Sequence, residues 1–359
     1  MKIGIDARND RTGVGRYTFS LIRELARIDR ENEYVLFLGR ERFATYAAPG
    51  PNFRTVEAAI PWFTLREQLA LPRLVERERL DLVHYPHVTV PLLSTTPFVV
   101  TIHDLNYLGT TAVSSPVRRA GYRVELAKAR RARRLIAVSE HTRDSLVRAL
   151  RVDPGRVAVT YEAADAPGGV EPDRGVLERH GLDAPFFLYV GAAYPYKNLA
   201  RLIEAFAGVR GEHRLVLAGD HEEFGAGLRT RAADLGVAER VVFPGAVSEA
   251  ELAALYGGAL AYAFVSLSEG FGLPGLEAMA AGVPVVAARA ASLPEIYGDA
   301  AHYCDPLDAG SIATSLAEVA ADEQLRARLV ERGHRRAGEF SWARTAEQTL
   351  AVYGEALLH

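Results

Sequence analysis

Residues 268–279, Ser-Glu-Gly-Phe-Gly-Leu-Pro-Gly-Leu-Glu-Ala-Met, set two carboxylates, Glu269 and Glu277, on either side of a glycine-rich turn. The apolar run 259–264 before the turn predicts a strand, and Pro274 suits the first turn of a helix over 273–281. Backbone N–H groups at such a helix start, with glycines that allow close approach, make a site for an anion. Carboxylates touching that anion would repel it. Beside it they accept hydrogen bonds from sugar hydroxyls, so the segment fits a ligand with hydroxyls on both sides of a diphosphate. Acids complementing a helix dipole explain one carboxylate here but not the pair.

Lys197 is the next candidate. The chain carries 39 arginines and three lysines, at 2, 128 and 197. A lysine kept between Tyr196 and Asn198, at the start of a helix predicted over 197–208, fits a compact point charge on a phosphate. His103-Asp104 follows the apolar run Phe98–Ile102, at the strand end where α/β folds present functional side chains. His84 and His87 lack the spacing to face together from a helix. They are expected to line the acceptor cleft rather than to hold a metal. Gly13 and Gly15, after the first strand, could open a dinucleotide fingerprint. The third glycine would fall at Thr18, however, and strand 34–38 ends in Gly39-Arg40, with no acid for a ribose.

The elements that must position these residues alternate short β-branched runs with longer amphipathic ones, the pattern of parallel sheets covered by helices. Strands are predicted at 2–6, 34–38, 81–85, 97–102, 134–138 and 156–160, with helices at 15–28, 65–79, 115–131 and 139–149. A second series places strands at 185–190, 214–218, 240–243, 259–264, 283–286 and 300–303. Its helices fall at 197–208, 225–235, 248–256, 273–281, 308–320 and 322–338. The stretch Asp165–Val170, with Pro167, Gly168 and Gly169, reads as the linker. A last helix follows Ser341, with Ala346, Leu350, Tyr353 and Leu357 at helical spacing.

The 359 residues fit two domains, and 49% apolar with 24% charged residues excludes a disordered or fibrous chain. No apolar run reaches the length of a spanning helix. The start of the chain reads as a strand rather than a secretory signal. A single cysteine, Cys304, fits a reducing cytoplasm and excludes a cysteine-based zinc site. The net charge of −3 hides a split: residues 1–170 hold 26 Lys and Arg against 19 Asp and Glu, and residues 171–359 hold 16 against 26. The first half is therefore expected to meet something anionic. Residues 118–134 concentrate eight cations against one acid. With Trp62, Phe63, Leu65, Leu69 and Leu71 they fit either an anionic membrane surface or a solvated helix face beside a buried Trp. No aromatics interleave with the arginines, which argues against nucleic acid.

Glu269 and Glu277, followed by Ala-Gly-Val-Pro-Val-Val at 281–286 and Ser-Leu-Pro-Glu-Ile at 292–296, resemble the retaining glycosyltransferases of family 4. The resemblance runs the length of the chain. It takes in Gly4–Arg8, Thr12–Tyr17, His103-Asp104, Val138–Thr142, Tyr189-Val190-Gly191, Lys197–Leu199 and Phe340-Ser341-Trp342. It implies a GT-B fold of two facing Rossmann-like domains, with residues 1–168 binding acceptor and 169–340 binding the nucleotide sugar. Residues 341–359 would form a helix returning to the first domain.

It further implies that Lys197 and the N–H groups of Gly270, Phe271, Gly272 and Leu273 meet the diphosphate, that Glu277 meets ribose hydroxyls, and that Glu269 meets sugar hydroxyls. His103 would lie against the transferred sugar, Gly13 and Gly15 would approach the phosphates, and Val247 and Ser248 would meet the nucleobase. Family members place an arginine shortly before the lysine; residues 191–196 hold none, which leaves Arg16 and Arg289 as substitutes. No metal or other cofactor is expected. The look is that of bacterial polysaccharide mannosyltransferases, implying GDP-mannose and a glycan or lipid-linked acceptor. A UDP-sugar enzyme acting on a small product or lipid stays open, as does a non-catalytic nucleotide-sugar sensor.

Overall fold

The computed structural model describes residues 1–9, 13–62, 64–108, 116–165, 173–220 and 224–358, and of Tyr107 and 116–119 the backbone only. Thr12, Phe63, residues 166–170 of the expected linker and the side chains of Arg118 and Arg119 lie outside this description. The chain divides into two compact units, Met1–Glu162 with Ser341–His359, and Ala163–Phe340.

The first unit contains β1 (Lys2–Ala7), β2 (Glu33–Leu38), β3 (Phe53–Glu57), β4 (Leu82–Tyr85), β5 (Phe98–Ile102), β6 (Arg134–Ala137) and β7 (Val157–Val159). They form one parallel sheet in the order β3-β2-β1-β4-β5-β6-β7. Its strands β4 and β5 are buried from end to end, the mark of a sheet covered on both faces. The helices are α1 (Gly13–Ile28), α2 (Arg40–Thr45), α3 (Leu65–Arg77), α4 (Pro116–Ala129) and α5 (Glu140–Leu150). Ser139 starts α5 by accepting from the Thr142 N–H.

The second unit contains β8 (Phe186–Val190), β9 (Arg214–Ala218), β10 (Val241–Gly245), β11 (Ala261–Phe264), β12 (Val285–Ala288) and β13 (Ala301–Cys304), in the order β10-β9-β8-β11-β12-β13. All of its pairings are parallel. Around them lie α6 (Arg174–Arg179), α7 (Leu199–Ala207), α8 (Gly225–Asp234), α9 (Glu249–Gly258), α10 (Leu273–Ala280), α11 (Leu293–Tyr297), α12 (Ala309–Ala321) and α13 (Glu323–Ala337). Among the described residues no helix is long and apolar enough to cross a membrane.

The last helix, α14 (Trp342–Leu357), is capped by Ser341 and packs on α1 of the first unit. Its buried face is Trp342, Thr345, Ala346, Thr349, Val352 and Tyr353, whereas Leu357 is exposed. Thr345 Oγ1 donates to the Tyr161 carbonyl at 2.6 Å. Tyr353 Oη meets His84 Nδ1 at 2.7 Å, and His84 Nε2 meets Thr101 Oγ1 at 2.8 Å. His84 is thus a fully buried link between β4, β5 and α14, not the acceptor-facing residue expected from sequence. Burial drives its pKa down to about 3, so the ring is neutral and its two nitrogens are satisfied by hydroxyls.

Candidate functional site

The order of the second sheet turns back between β8 and β11, so the connections leaving these adjacent strands diverge at their carboxyl ends and open a crevice there. β8 leads into a 3-10 turn, Pro195–Lys197, that ends at Asn198 in the left-handed region with φ 63°. Asn198 Nδ2 donates to the carbonyls of Val265 at 3.1 Å and Pro306 at 2.8 Å. The Leu267 N–H donates to the Tyr196 carbonyl at 2.7 Å. These bonds tie the lysine-bearing turn to the segment leaving β11. They set Lys197 Nζ 2.7 Å from Glu269 Oε1, with the rings of Tyr196 and Phe264 beside the ammonium. An ammonium has three donors, and Glu269 takes one of them.

The loop 268–272 is held from behind. Ser292 Oγ lies 3.0 and 3.1 Å from the carbonyls of Glu269 and Phe271. Tyr297 Oη donates to the Gly272 carbonyl at 2.5 Å. Gly272 has φ 104°, and a Cβ on Gly272 or Gly275 would come within 2.6 or 2.2 Å of Tyr297 Oη. These two glycines are therefore required by the buried Tyr297 as well as by any ligand, a partner that the sequence spacing did not reveal. Pro274 sits in the first turn of α10, as expected. Phe271 packs edge-on to Phe340, and Glu277 is buried on α10. Burial, supplemented by the charges of Glu277 and Glu269, holds the Tyr262 phenol well above its usual range. It stays protonated and donates to the Val190 carbonyl at 3.2 Å.

On the β9–β10 side, Gly219 has φ 131° and passes so close to Gly191 that a Cβ would stand 2.4 Å from its carbonyl oxygen. A pocket of about 570 Å³ opens here, lined by Gly219, Asp220, Gly225, Ala226, Arg229, Gly245 and Ala246. Val247, half-buried, borders this stretch. Ser248 caps α9 through a reciprocal box with Glu251, so its hydroxyl already serves the helix start. Arg289, exposed at the end of β12, stacks on Tyr303.

Gly13, Gly15 and His103 belong to the first unit. The two glycines begin α1, Gly15 buried and Gly13 exposed. His103, beyond β5, places Nδ1 2.8 Å from Glu162 Oε1 and Nε2 2.9 Å from the Pro86 carbonyl. Both partners are acceptors, so the doubly protonated ring satisfies both. Burial opposes that charge, but the hydrogen bond and charge of Glu162 outweigh it and the His103 pKa is raised. At the end of β1, Arg8 Nε and Nη2 grip Asp6 at 2.7 Å each, and Nη2 also reaches Glu67 at 2.7 Å. Trp62 lies against Arg8 and His87 rather than with a surface patch. Nor is 118–134 a uniformly solvated basic face. Lys128 is buried on Glu125, and Arg134 is half-buried against Gly155 and Glu355. Arg123, Arg130, Arg131 and Arg133 stay exposed.

Among the described residues, no three His, Cys, Asp or Glu side chains gather in a metal-holding arrangement.

The chain matches the family described as Glycosyltransferase Family 4 over residues 11–166 and that described as Glycosyl transferases group 1 over residues 178–336. It is 28% identical to the O-antigen chain mannosyltransferase B of Escherichia coli, covering 95% of this chain and 96% of that protein. It is 33% identical to the D-inositol 3-phosphate glycosyltransferase of Actinosynnema mirum, over 74% of this chain and 67% of that one. The crystal structure of Anabaena Alr3699/HepE in complex with UDP and glucose superposes with a TM-score of 0.79 at 19% identity, covering 99% of each chain, which shows the GT-B fold with its two Rossmann-like domains. Two such sheets, one with a lysine–glutamate pair at its switch point, together with these matches mean that the chain belongs to the family 4, group 1 glycosyltransferases.

Proposed function

We propose that the chain is a retaining hexosyltransferase that takes mannose from GDP-mannose and passes it to a hydroxyl of a glycan acceptor, in bacterial cell-surface polysaccharide synthesis. The Lys197–Glu269 pair at the carboxyl ends of β8 and β11 carries this reading. In it the second unit takes the donor and the first the acceptor. Lys197 and the N–H groups of Gly270 to Leu273 stabilise charge on the departing diphosphate, a role that needs no metal. Glu277 accepts from ribose hydroxyls and Glu269 from those of the sugar. The bond from the anomeric carbon to phosphate breaks, and the bond to the acceptor oxygen forms on the same face. The acceptor proton passes to the departing phosphate oxygen. The likeness to the O-antigen chain mannosyltransferase supports mannose as the sugar; in this reading the glycan acceptor is lipid-linked and met at the membrane.

Thermal unfolding with GDP, UDP and ADP, with and without their sugars, in EDTA and then magnesium, tests the donor. A ligand at 100-fold its Kd stabilises by about 2.7 kcal/mol. GDP and GDP-mannose are expected to raise the midpoint equally in EDTA. A shift with UDP compounds alone replaces the donor, and no shift with any nucleotide overturns the site. Glu277→Ala is expected to raise donor KM about tenfold or more, the worth of a lost charge-assisted hydrogen bond. Glu269→Ala is expected to lower kcat.

A further inference from the structure

Exposed large apolar side chains are unevenly spread in the first unit. Leu65 is 86% and Leu93 58% exposed, and Leu69, Leu92 and Val124 are each about half exposed. Hydrogen bonds tie these five into one surface. The Leu92 N–H donates to Gln68 Oε1 at 2.8 Å, on α3 between Leu65 and Leu69. Lys128, one turn after Val124 on α4, reaches the same Gln68 oxygen at 3.3 Å. Arg131 Nη1 donates to the Leu92 carbonyl at 2.5 Å.

Exposed cations outnumber exposed acids on this surface, where Glu76 of α3 is the exposed acid. At 3.6 residues per turn, Leu65, Leu69, Arg73 and Arg66 share an arc of about 100° on α3. Arg66, Arg73, Arg123 and Arg131 are exposed. The nearby acids are turned to other partners: Glu67 is buried on Arg8, Glu125 holds Lys128, and Glu76 accepts from Thr95. Among the described residues this surface sets leucines among arginines with no exposed aromatic side chain, unlike a protein-recognition hot spot, which favours Trp and Tyr. They match an element that sets aliphatic side chains into the acyl boundary while arginines meet anionic headgroups.

We infer that the α3 start, the 92–93 loop and the exposed side of α4 form a docking surface for an anionic lipid bilayer, with Leu65, Leu69, Leu92 and Leu93 inserted. The inference deepens the lipid-linked acceptor of the proposed function, but its test needs neither donor nor acceptor.

The full chain is floated with vesicles of phosphatidylcholine alone and with about one third phosphatidylglycerol, at low and high salt. Binding is expected to the anionic vesicles and to weaken as salt screens the arginines. Leu65→Glu with Leu93→Glu is expected to cut the bound-to-free ratio about tenfold or more, since each leucine loses its burial in the membrane. Arg66→Gln with Arg73→Gln reduces binding and its salt dependence together, and decides the matter if the leucine variant fails to fold. Nucleotide-induced thermal shifts should stay as in the parent, so failure of the surface and failure of the donor site read separately. Absence of binding to anionic vesicles overturns the inference, as does a leucine variant that binds like the parent. A concentration-dependent dimer that the leucine variant abolishes also overturns it, reassigning the surface to a second copy of this chain.

Discussion

Lys197 and Glu269 are largely buried, and their pairing serves both the fold and the proposed donor site. Removing one partner strands a charge, at a cost of about 3 kcal/mol or somewhat less at this exposure, whereas replacing both by apolar residues is close to neutral. Lys197→Met is therefore expected to lower the unfolding free energy, and Lys197→Met with Glu269→Leu to restore most of it. Neither variant should regain a nucleotide-induced shift. Chemical denaturation beside nucleotide titration checks this, and a double variant that binds nucleotide like the parent removes Lys197 from the donor site. His103 offers a second residue-scale test. Glu162 holds its imidazolium, so Glu162→Gln is expected to bring the His103 pKa down. Imidazole resonances followed by NMR over pH would show the lower midpoint, and an unchanged midpoint would assign the shift to the Pro86 carbonyl and Asp104 instead.

At the scale of elements, the glycine-rich loop is shaped by α11 as much as by its own sequence. Tyr297 is fully buried and its hydroxyl is spent on the Gly272 carbonyl, so it cannot swing away from an added methyl. Gly275→Ala is expected to destabilise the second unit by about 1–3 kcal/mol, the usual range for overpacking. The melting temperature reads this directly, and an alanine tolerated without loss would mean that Tyr297 has room. The part of Tyr297 was not legible beforehand, because it lies 25 residues beyond Gly272 and nothing in the spacing marks it, and Ser292 was marked only as part of a motif, not as a partner of the loop. The carboxylates, Pro274 and the strand before them were legible because they are contiguous. The inner strands were legible for a related reason, since burial on both faces writes them as unbroken apolar runs. β3 (Phe53–Glu57) escaped because it is an edge strand with one buried residue in five. α2 buries nothing, α6 buries only Val176, and α11 has five residues, so none shows a helical period. The face of α14 was only partly legible: Ala346 and Tyr353 are buried as expected, but Thr345 and Thr349 replace Leu350 and Leu357.

Across the whole molecule, α14 carries the end of the chain back to the unit that holds its beginning, and a titratable group lies in that closure. His84 bonds Tyr353 of α14 on one side and Thr101 of β5 on the other. Its folded pKa of about 3 lies below the ordinary 6.5 because burial excludes the charged ring. Between those values the unfolded chain binds a proton that the folded one refuses, so stability present above pH 6.5 is lost as pH falls toward 3. The slope for one such group is up to about 1.4 kcal/mol per pH unit. His87, also held near 3, adds to the same limb. His103 acts in the opposite sense: its raised pKa contributes stability below pH 6.5 that disappears as pH rises through the folded value. Urea unfolding of the parent from pH 7 to pH 4 is expected to show a falling midpoint. His84→Gln keeps a donor and an acceptor but cannot take a proton in this range. It should flatten that fall by the contribution of one group while lowering stability at pH 7 for its poorer fit. A variant with the parent's acid slope would show that the loss arises elsewhere, and that the link between α14 and the first sheet is insensitive to protons.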